Sequence, residues 1–135
     1  LCTNLCPGRR NFKNISVTMD LIDLSYYEKV AEGDKEFVER MMQTFLEDVP
    51  LMIKAIRAAF EDGDVNLLKK QVHKLKPSWT MSGLDPQLLT SVDTLIMEGS
   101  ALILIQGKIL EIEYIAGNAL KEMHHKLKSF RSSLN

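Results

Sequence analysis

The sequence predicts an all-α protein, an antiparallel four-helix bundle with a short extra helix at its N-terminal end. Three observations support this fold class. Apolar residues recur at spacings of three and four over most of the chain after Asp20, which is the period of an amphipathic helix. Capping residues and glycines divide these stretches into separate helices. No Asn-Gly or Asp-Gly pair joins two stretches of alternating polarity, so no β-hairpin is predicted.

Length and composition indicate a single globular domain. The chain has 135 residues, of which 45% are hydrophobic and 26% are charged, enough to bury a core. Its 17 basic and 18 acidic residues give a net charge of -1, which argues against a general nucleic-acid binder. No apolar run approaches the ~20 residues that span a bilayer, and no apolar signal core precedes the helices. We therefore expect a cytoplasmic protein without membrane contact.

The first residues predict a basic tail or linker over 1–21, ahead of a bundle over 22–132. Several basic residues and no acid occur before Asp20. Cys2 and Cys6 have the spacing of half a zinc site, but the sequence offers no second half. We interpret them as free thiols, and no metal or other cofactor is predicted for this chain.

The first two helices are delimited by glycine and aspartate. A short helix is predicted over Leu24–Val30, with Gly33 near its end. Asp34 then caps a longer helix, whose apolar residues keep helical spacing past Pro50. Because proline lacks an N–H and crowds the preceding turn, we expect Pro50 to kink or restart this helix. Gly63 ends it.

The third helix is predicted from Val65 to Ser82, between Asp64 as its cap and Gly83 as its stop. Its predicted buried stripe is Val65, Leu68, Val72, Leu75 and Trp79. Asp85 and Pro86 open a fourth helix with a preferred cap and first residue.

The apolar segment within residues 100–107 is ambiguous, because it suits either a prolonged helix or a buried connector. After Gly107 a last helix is predicted, with the stripe Ile109, Ile112, Ala116, Leu120, Met123, Leu127 and Phe130. His124 and His125 point about 100° apart on this helix and cannot chelate one ion together. We expect them to complement the dipole at the helix C-terminus.

His73 is the most informative residue, because it lies off the buried stripe of the third helix. Its neighbours one turn away are Lys69, Lys70, Lys76 and Pro77. The pattern therefore predicts an exposed imidazole ringed by cations, with no carboxylate near it on that face. Lysines are poor neighbours for a metal dication but good neighbours for a phosphoryl group.

The spacing alone is also compatible with an ordinary solvent-exposed histidine. It is equally compatible with Lys69 and Lys70 as ordinary surface residues that have no role in function. An imidazole can act as a general base, a metal ligand or a nucleophile. A catalytic triad would need a second nucleophile and an orienting acid, and nothing in the sequence marks a strained nucleophile turn.

The stretch His73-Lys74-Leu75-Lys76-Pro77-Ser78, followed by Ser82-Gly83-Leu84, resembles the signature of histidine-containing phosphotransfer (HPt) domains. The resemblance extends over about residues 22–130. It implies that His73 accepts a phosphoryl group and that Lys76 steadies it. The neighbouring Lys69 and Lys70 are assigned to the same task, and Pro77, Ser78 and Gly83 to the local geometry. The family usually has glycine where this chain has Pro77.

The resemblance further implies a carrier without kinase activity. Its partners would be a response-regulator receiver domain, which holds the Mg²⁺, and an upstream hybrid histidine kinase in the same or another polypeptide. A monomer is the simplest expectation, with Tyr26 or Tyr27 in the docking face. The alternative is a helical adaptor that binds a receiver without phosphorylation. A metal-binding or hydrolytic role through His124, His125 or the two cysteines ranks third.

Overall fold

A computed structural model describes residues 21–134, and within this range the chain forms helices and no strands. The helices are α1 (Ser25–Ala31), α2 (Lys35–Glu61), α3 (Val65–Met81), α4 (Gln87–Met97) and α5 (Leu102–Leu134). Helix α2 packs on α3 and α5, α4 also packs on α3 and α5, and α1 packs on α2. The all-α prediction is confirmed. No helix between residues 21 and 134 combines the length and apolarity that a bilayer crossing requires.

The inward faces of the helices form one apolar core. Its largest fully buried side chains include Trp79, Met42, Ile56, Ile109, Ile112 and Met123. The stripe predicted on α3 is buried except at Val65, which is exposed in the first turn of that helix. The indole N–H of Trp79 donates to the backbone oxygen of Asp85 at 2.9 Å, so the core tryptophan also satisfies its polar atom.

Asp34 and Asp64 cap the two helices that they were predicted to begin, and Gly63 ends α2 as predicted, whereas α4 is preceded by Pro86 without a side-chain cap. The carboxylates of Asp34 and Asp64 accept from backbone N–H groups three residues on, at 3.1 and 3.0 Å. After α2, Gly63 has a φ of 72° and donates to the oxygen of Phe60, while the next residue donates to Ala59. These paired bonds form a Schellman motif, which satisfies the last carbonyls of the helix.

Three expectations are corrected. Helix α2 continues through Pro50 without a restart. Helix α5 begins at Leu102 rather than after Gly107, and its first residues, 102–104, are exposed, so this segment is neither a buried connector nor part of α4. The helix continues to Leu134. His124 therefore lies well before the last turn, beyond the reach of the terminal dipole, and the predicted dipole role is wrong.

The segment before α1 is held against α5 and the end of α3. The backbone N–H groups of Leu21 and Ile22 donate to the two carboxylate oxygens of Glu122 at 2.9 and 3.0 Å. The N–H of Asp23 donates to the backbone oxygen of Ser82 at 2.8 Å. Leu21, predicted as the last residue of the tail, is thus anchored on α5. The rest of the predicted tail lies outside the described residues.

Candidate functional site

His73 lies in the middle of α3, with its side chain on the outer surface. Its neighbour Val72 and the more distant Leu75 are fully buried, because they belong to the apolar stripe that faces the core. The 100° step between successive residues turns His73 away from that stripe. Its side chain is 54% exposed, which leaves the imidazole accessible to another molecule.

A carboxylate from the neighbouring helix meets this imidazole. Oδ2 of Asp93, on α4, lies 2.5 Å from Nε2 of His73. The sequence predicted no carboxylate near His73 on its own face of α3, and α3 contains none, but this prediction did not include Asp93. It considered only neighbours on α3, whereas Asp93 reaches the ring because α4 packs beside α3.

Asp93 is largely removed from solvent, with its side chain 14% exposed. Its second oxygen, Oδ1, is buried and has no hydrogen-bond partner among the described residues. Loss of water from a carboxylate is costly. Within residues 21–134, the bond to His73 is the only hydrogen bond that the Asp93 carboxylate forms. A short bond of this kind in a poorly hydrated position is stronger than its counterpart in water.

The three predicted phosphate-binding lysines share the face of His73. Lys69 and Lys70 lie one turn before it and Lys76 lies one turn after it. Lys69 and Lys76 are partly buried, and Lys70 is exposed. Within residues 21–134 none of the three forms an ion pair with a carboxylate. The charges of these three lysines are therefore not neutralised by an acidic side chain in this part of the chain.

The residues assigned to local geometry lie in three different places. Pro77 is exposed one turn after His73, and α3 runs through it unbroken. Its missing N–H leaves the carbonyl of His73 without the usual helical donor. Ser78 instead faces a groove of about 300 Å³ between α1, α2 and α3. This groove is also lined by Tyr27, Phe37, Arg40, Met41, Thr44, Phe45 and Met81.

Gly83 acts at the end of α3, away from the imidazole. Its φ of 94° is a conformation that favours glycine. A Cβ at this position would lie 2.5 Å from Cβ of Asp23 and 2.7 Å from its backbone nitrogen. Gly83 therefore allows the segment before α1 to cross the end of α3, and its role is structural.

Of the two tyrosines expected in a docking face, only Tyr26 is exposed. Tyr27 is 3% exposed and packs in the core. Burial raises the pKa of Tyr27 to about 12. Tyr27 thus holds α1 against the core.

Asp93 is the functional candidate that sequence reasoning missed. It is the only charged residue in α4, whose sequence is otherwise apolar or neutral. A lone carboxylate in such a helix is a usable signal, although its partner is visible only in the packed structure.

No group of three or more histidine, cysteine, aspartate or glutamate side chains in residues 21–134 is arranged to hold a metal. Cys2 and Cys6 lie outside the described residues. Comparisons with protein-family models, curated proteins and solved structures found no match to this chain. The candidate site consequently rests on its own geometry: an exposed imidazole, one carboxylate and three lysines.

Proposed function

We propose that this chain is a histidine phosphotransfer domain, in which His73 accepts a phosphoryl group from a receiver-domain aspartyl phosphate and passes it on. The pairing of an exposed His73 with the carboxylate of Asp93 is the observation that carries the proposal. We also propose that α2 to α5 form the antiparallel four-helix bundle that the HPt resemblance implies, with α1 as the extra helix.

The contact between His73 and Asp93 suggests how the ring acts as a nucleophile. When Nε2–H donates to Asp93, Nδ1 carries the free lone pair. Nδ1 attacks phosphorus, the new N–P bond forms, and the bond from phosphorus to the receiver's aspartyl oxygen breaks. The receiver regains its carboxylate. The ring becomes positively charged in this step, and Asp93 stabilises that charge.

The lysines and Asp93 act in opposite directions on the phosphoryl group. Lys76, with Lys69 and Lys70, attracts its negative oxygens and supports acceptance. The charge of Asp93 repels the same oxygens, which favours departure to the next acceptor. A carrier needs this balance, because it must both take up and release the group.

The proposed partners supply what the chain lacks. A receiver domain brings the aspartyl phosphate and the Mg²⁺, and it docks over the outer surface of α3 and α4 around His73. An upstream hybrid histidine kinase, in the same or another polypeptide, phosphorylates that receiver. The domain itself acts as a carrier and not as a kinase.

The discriminating experiment measures transfer and binding together. The protein is mixed with a phosphorylated receiver and Mg²⁺, and phosphate uptake and receiver affinity are measured for the unmodified chain and for His73→Gln. We expect the variant to lose uptake and to keep binding. His125→Gln, at an exposed histidine on α5, is the matched control and should retain both. Binding without uptake by the unmodified chain, with several receivers, would favour the adaptor alternative.

A further inference from the structure

The outer face of α5 is apolar in its first half. Ile103, Leu110 and Tyr114 are 71, 53 and 74% exposed, and they lie opposite the buried stripe of the same helix. With Gly107 and Gly117 they repeat at spacings of four and three, which is the pattern of a helix-pairing seam. We call these five residues the outer stripe. Exposed apolar side chains that share one helix face make that face a candidate interaction site.

The outer stripe is complementary to itself. When two copies of α5 lie antiparallel, Ile103 of one copy faces Tyr114 of the other, and Gly107 faces Leu110. Each large side chain is then covered, and each Leu110 packs over a position without a side chain. A Cβ at Gly107 or Gly117 would meet nothing within 4 Å in this chain, so folding of the single chain does not require glycine there.

Charges at the two ends of the stripe select the antiparallel orientation. Glu98 is exposed in the turn before α5, whereas Lys121, His124 and Lys128 are exposed beyond Gly117. Parallel pairing would place these basic groups next to the same basic groups of the second protein molecule. Antiparallel pairing instead brings the acidic end of one copy near the basic end of the other, which is electrostatically favourable.

We propose that two copies of this chain associate through the outer stripe of α5, with the two helices antiparallel. The stretch from Ile103 to Lys121 is about 27 Å long at 1.5 Å per residue. One pair of helices over that length makes a small interface, and small interfaces are weak and transient. The dimer should therefore dissociate on dilution. This replaces the expectation of a monomer.

The proposed dimer leaves the histidine site accessible. Helix α5 packs on α2 and α4, and α3 also packs on α2 and α4, so α3 and α5 lie diagonally across the structure. A partner on the outer face of α5 therefore does not cover His73. The inference does not depend on phosphotransfer and is tested without a receiver.

Sedimentation velocity of the full chain, over a range of micromolar to millimolar concentrations, tests this inference. We expect a monomer–dimer equilibrium for the unmodified protein. Leu110→Glu and Tyr114→Glu should each weaken dimerisation at least about tenfold, because they place unpaired charges at the centre of the interface. Leu51→Glu, at a residue 65% exposed on α2, is the matched control and should leave the equilibrium unchanged. A monomer at every concentration, or a dimer that survives both stripe variants, would overturn the proposal.

Three further variants test the arrangement of the helices. Gly107→Leu should favour the helix of the single chain, yet weaken the dimer by filling the space that the second copy's Leu110 needs. Lys121→Glu should also weaken the dimer, and adding Glu98→Lys should restore it. Failure of the double variant to restore association would exclude the antiparallel orientation.

Discussion

The carboxylate of Asp93 lies 2.5 Å from the imidazole of His73, although the two residues belong to different helices. The ring is more than half exposed, whereas Asp93 is almost buried and its second oxygen has no described partner. The carboxylate is thus positioned by the fold, and it in turn orients a ring that solvent and partners can reach. This relationship is the structural basis of the proposed chemistry.

Removal of the Asp93 side chain should slow phosphoryl uptake by His73. We expect Asp93→Ala to lower the uptake rate about ten- to a hundredfold, because the ring loses both its orienting acceptor and its counter-charge. Asp93→Asn keeps a hydrogen-bond acceptor without the charge and should give an intermediate rate. Quenched-flow kinetics of transfer from a phosphorylated receiver measure the uptake rates, and circular dichroism checks that each variant is folded. Equal rates in all three proteins would contradict the assigned role.

Lys76 should contribute more to transfer than a distant lysine. Lys76→Ala should lower the uptake rate about tenfold, since one stabilising charge near the phosphoryl group is lost. Lys128→Ala, at an exposed lysine on α5, serves as the control and should have little effect. The same transfer assay measures the uptake rates of both variants. An equal loss of rate in the two would indicate a general effect of charge and would contradict a specific role for Lys76.

Gly83 and Gly63 form a matched pair for a stability test. Both have positive φ, but only at Gly83 would a Cβ collide with another segment, at Asp23. Gly63→Ala should cost about 1 to 2 kcal/mol of unfolding free energy, from the backbone conformation alone. Gly83→Ala should cost about 3 kcal/mol, because displacement of the segment before α1 is added. Urea unfolding measures both, and equal costs would show that the close approach is unimportant.

Tyr27 should make the fold sensitive to alkaline pH. Burial raises the pKa of Tyr27 from 10.0 to about 12, so the folded protein holds this proton more tightly than the unfolded chain. The corresponding stability is complete below pH 10 and is lost as the pH rises towards 12. A shift of this size corresponds to about 2 to 3 kcal/mol. Unfolding free energies across this range should fall less steeply for Tyr27→Phe, and parallel curves would refute the assignment.

Local features of the fold were predictable because their causes are local. Asp34 and Asp64 cap helices through N–H groups three residues away, and Gly63 and Gly83 end helices through their own backbone conformations. The buried stripe of α3 follows from the helical period. Each of these features depends on a few consecutive residues, so a single sequence contains enough information to find them.

Features that depend on packing were missed. Asp93 contacts His73 only because α4 packs on α3, and no spacing within one helix reveals that contact. Pro50 was expected to kink or restart α2, and no restart occurs because the helix continues through it. The start of α5 was misplaced because residues 102–104 are apolar and yet exposed. Burial does not explain their character, and the proposed pairing of α5 would cover only Ile103 among them.

The most direct measurement follows the phosphoryl group to the residue that receives it. The protein is incubated with a phosphorylated receiver and Mg²⁺, and the labelled chain is tested for acid and alkali stability and mapped by mass spectrometry. We expect an acid-labile, alkali-stable phosphate on the peptide that contains His73, and none on His73→Gln. Label that persists on His73→Gln, or that maps to another residue, would contradict the account.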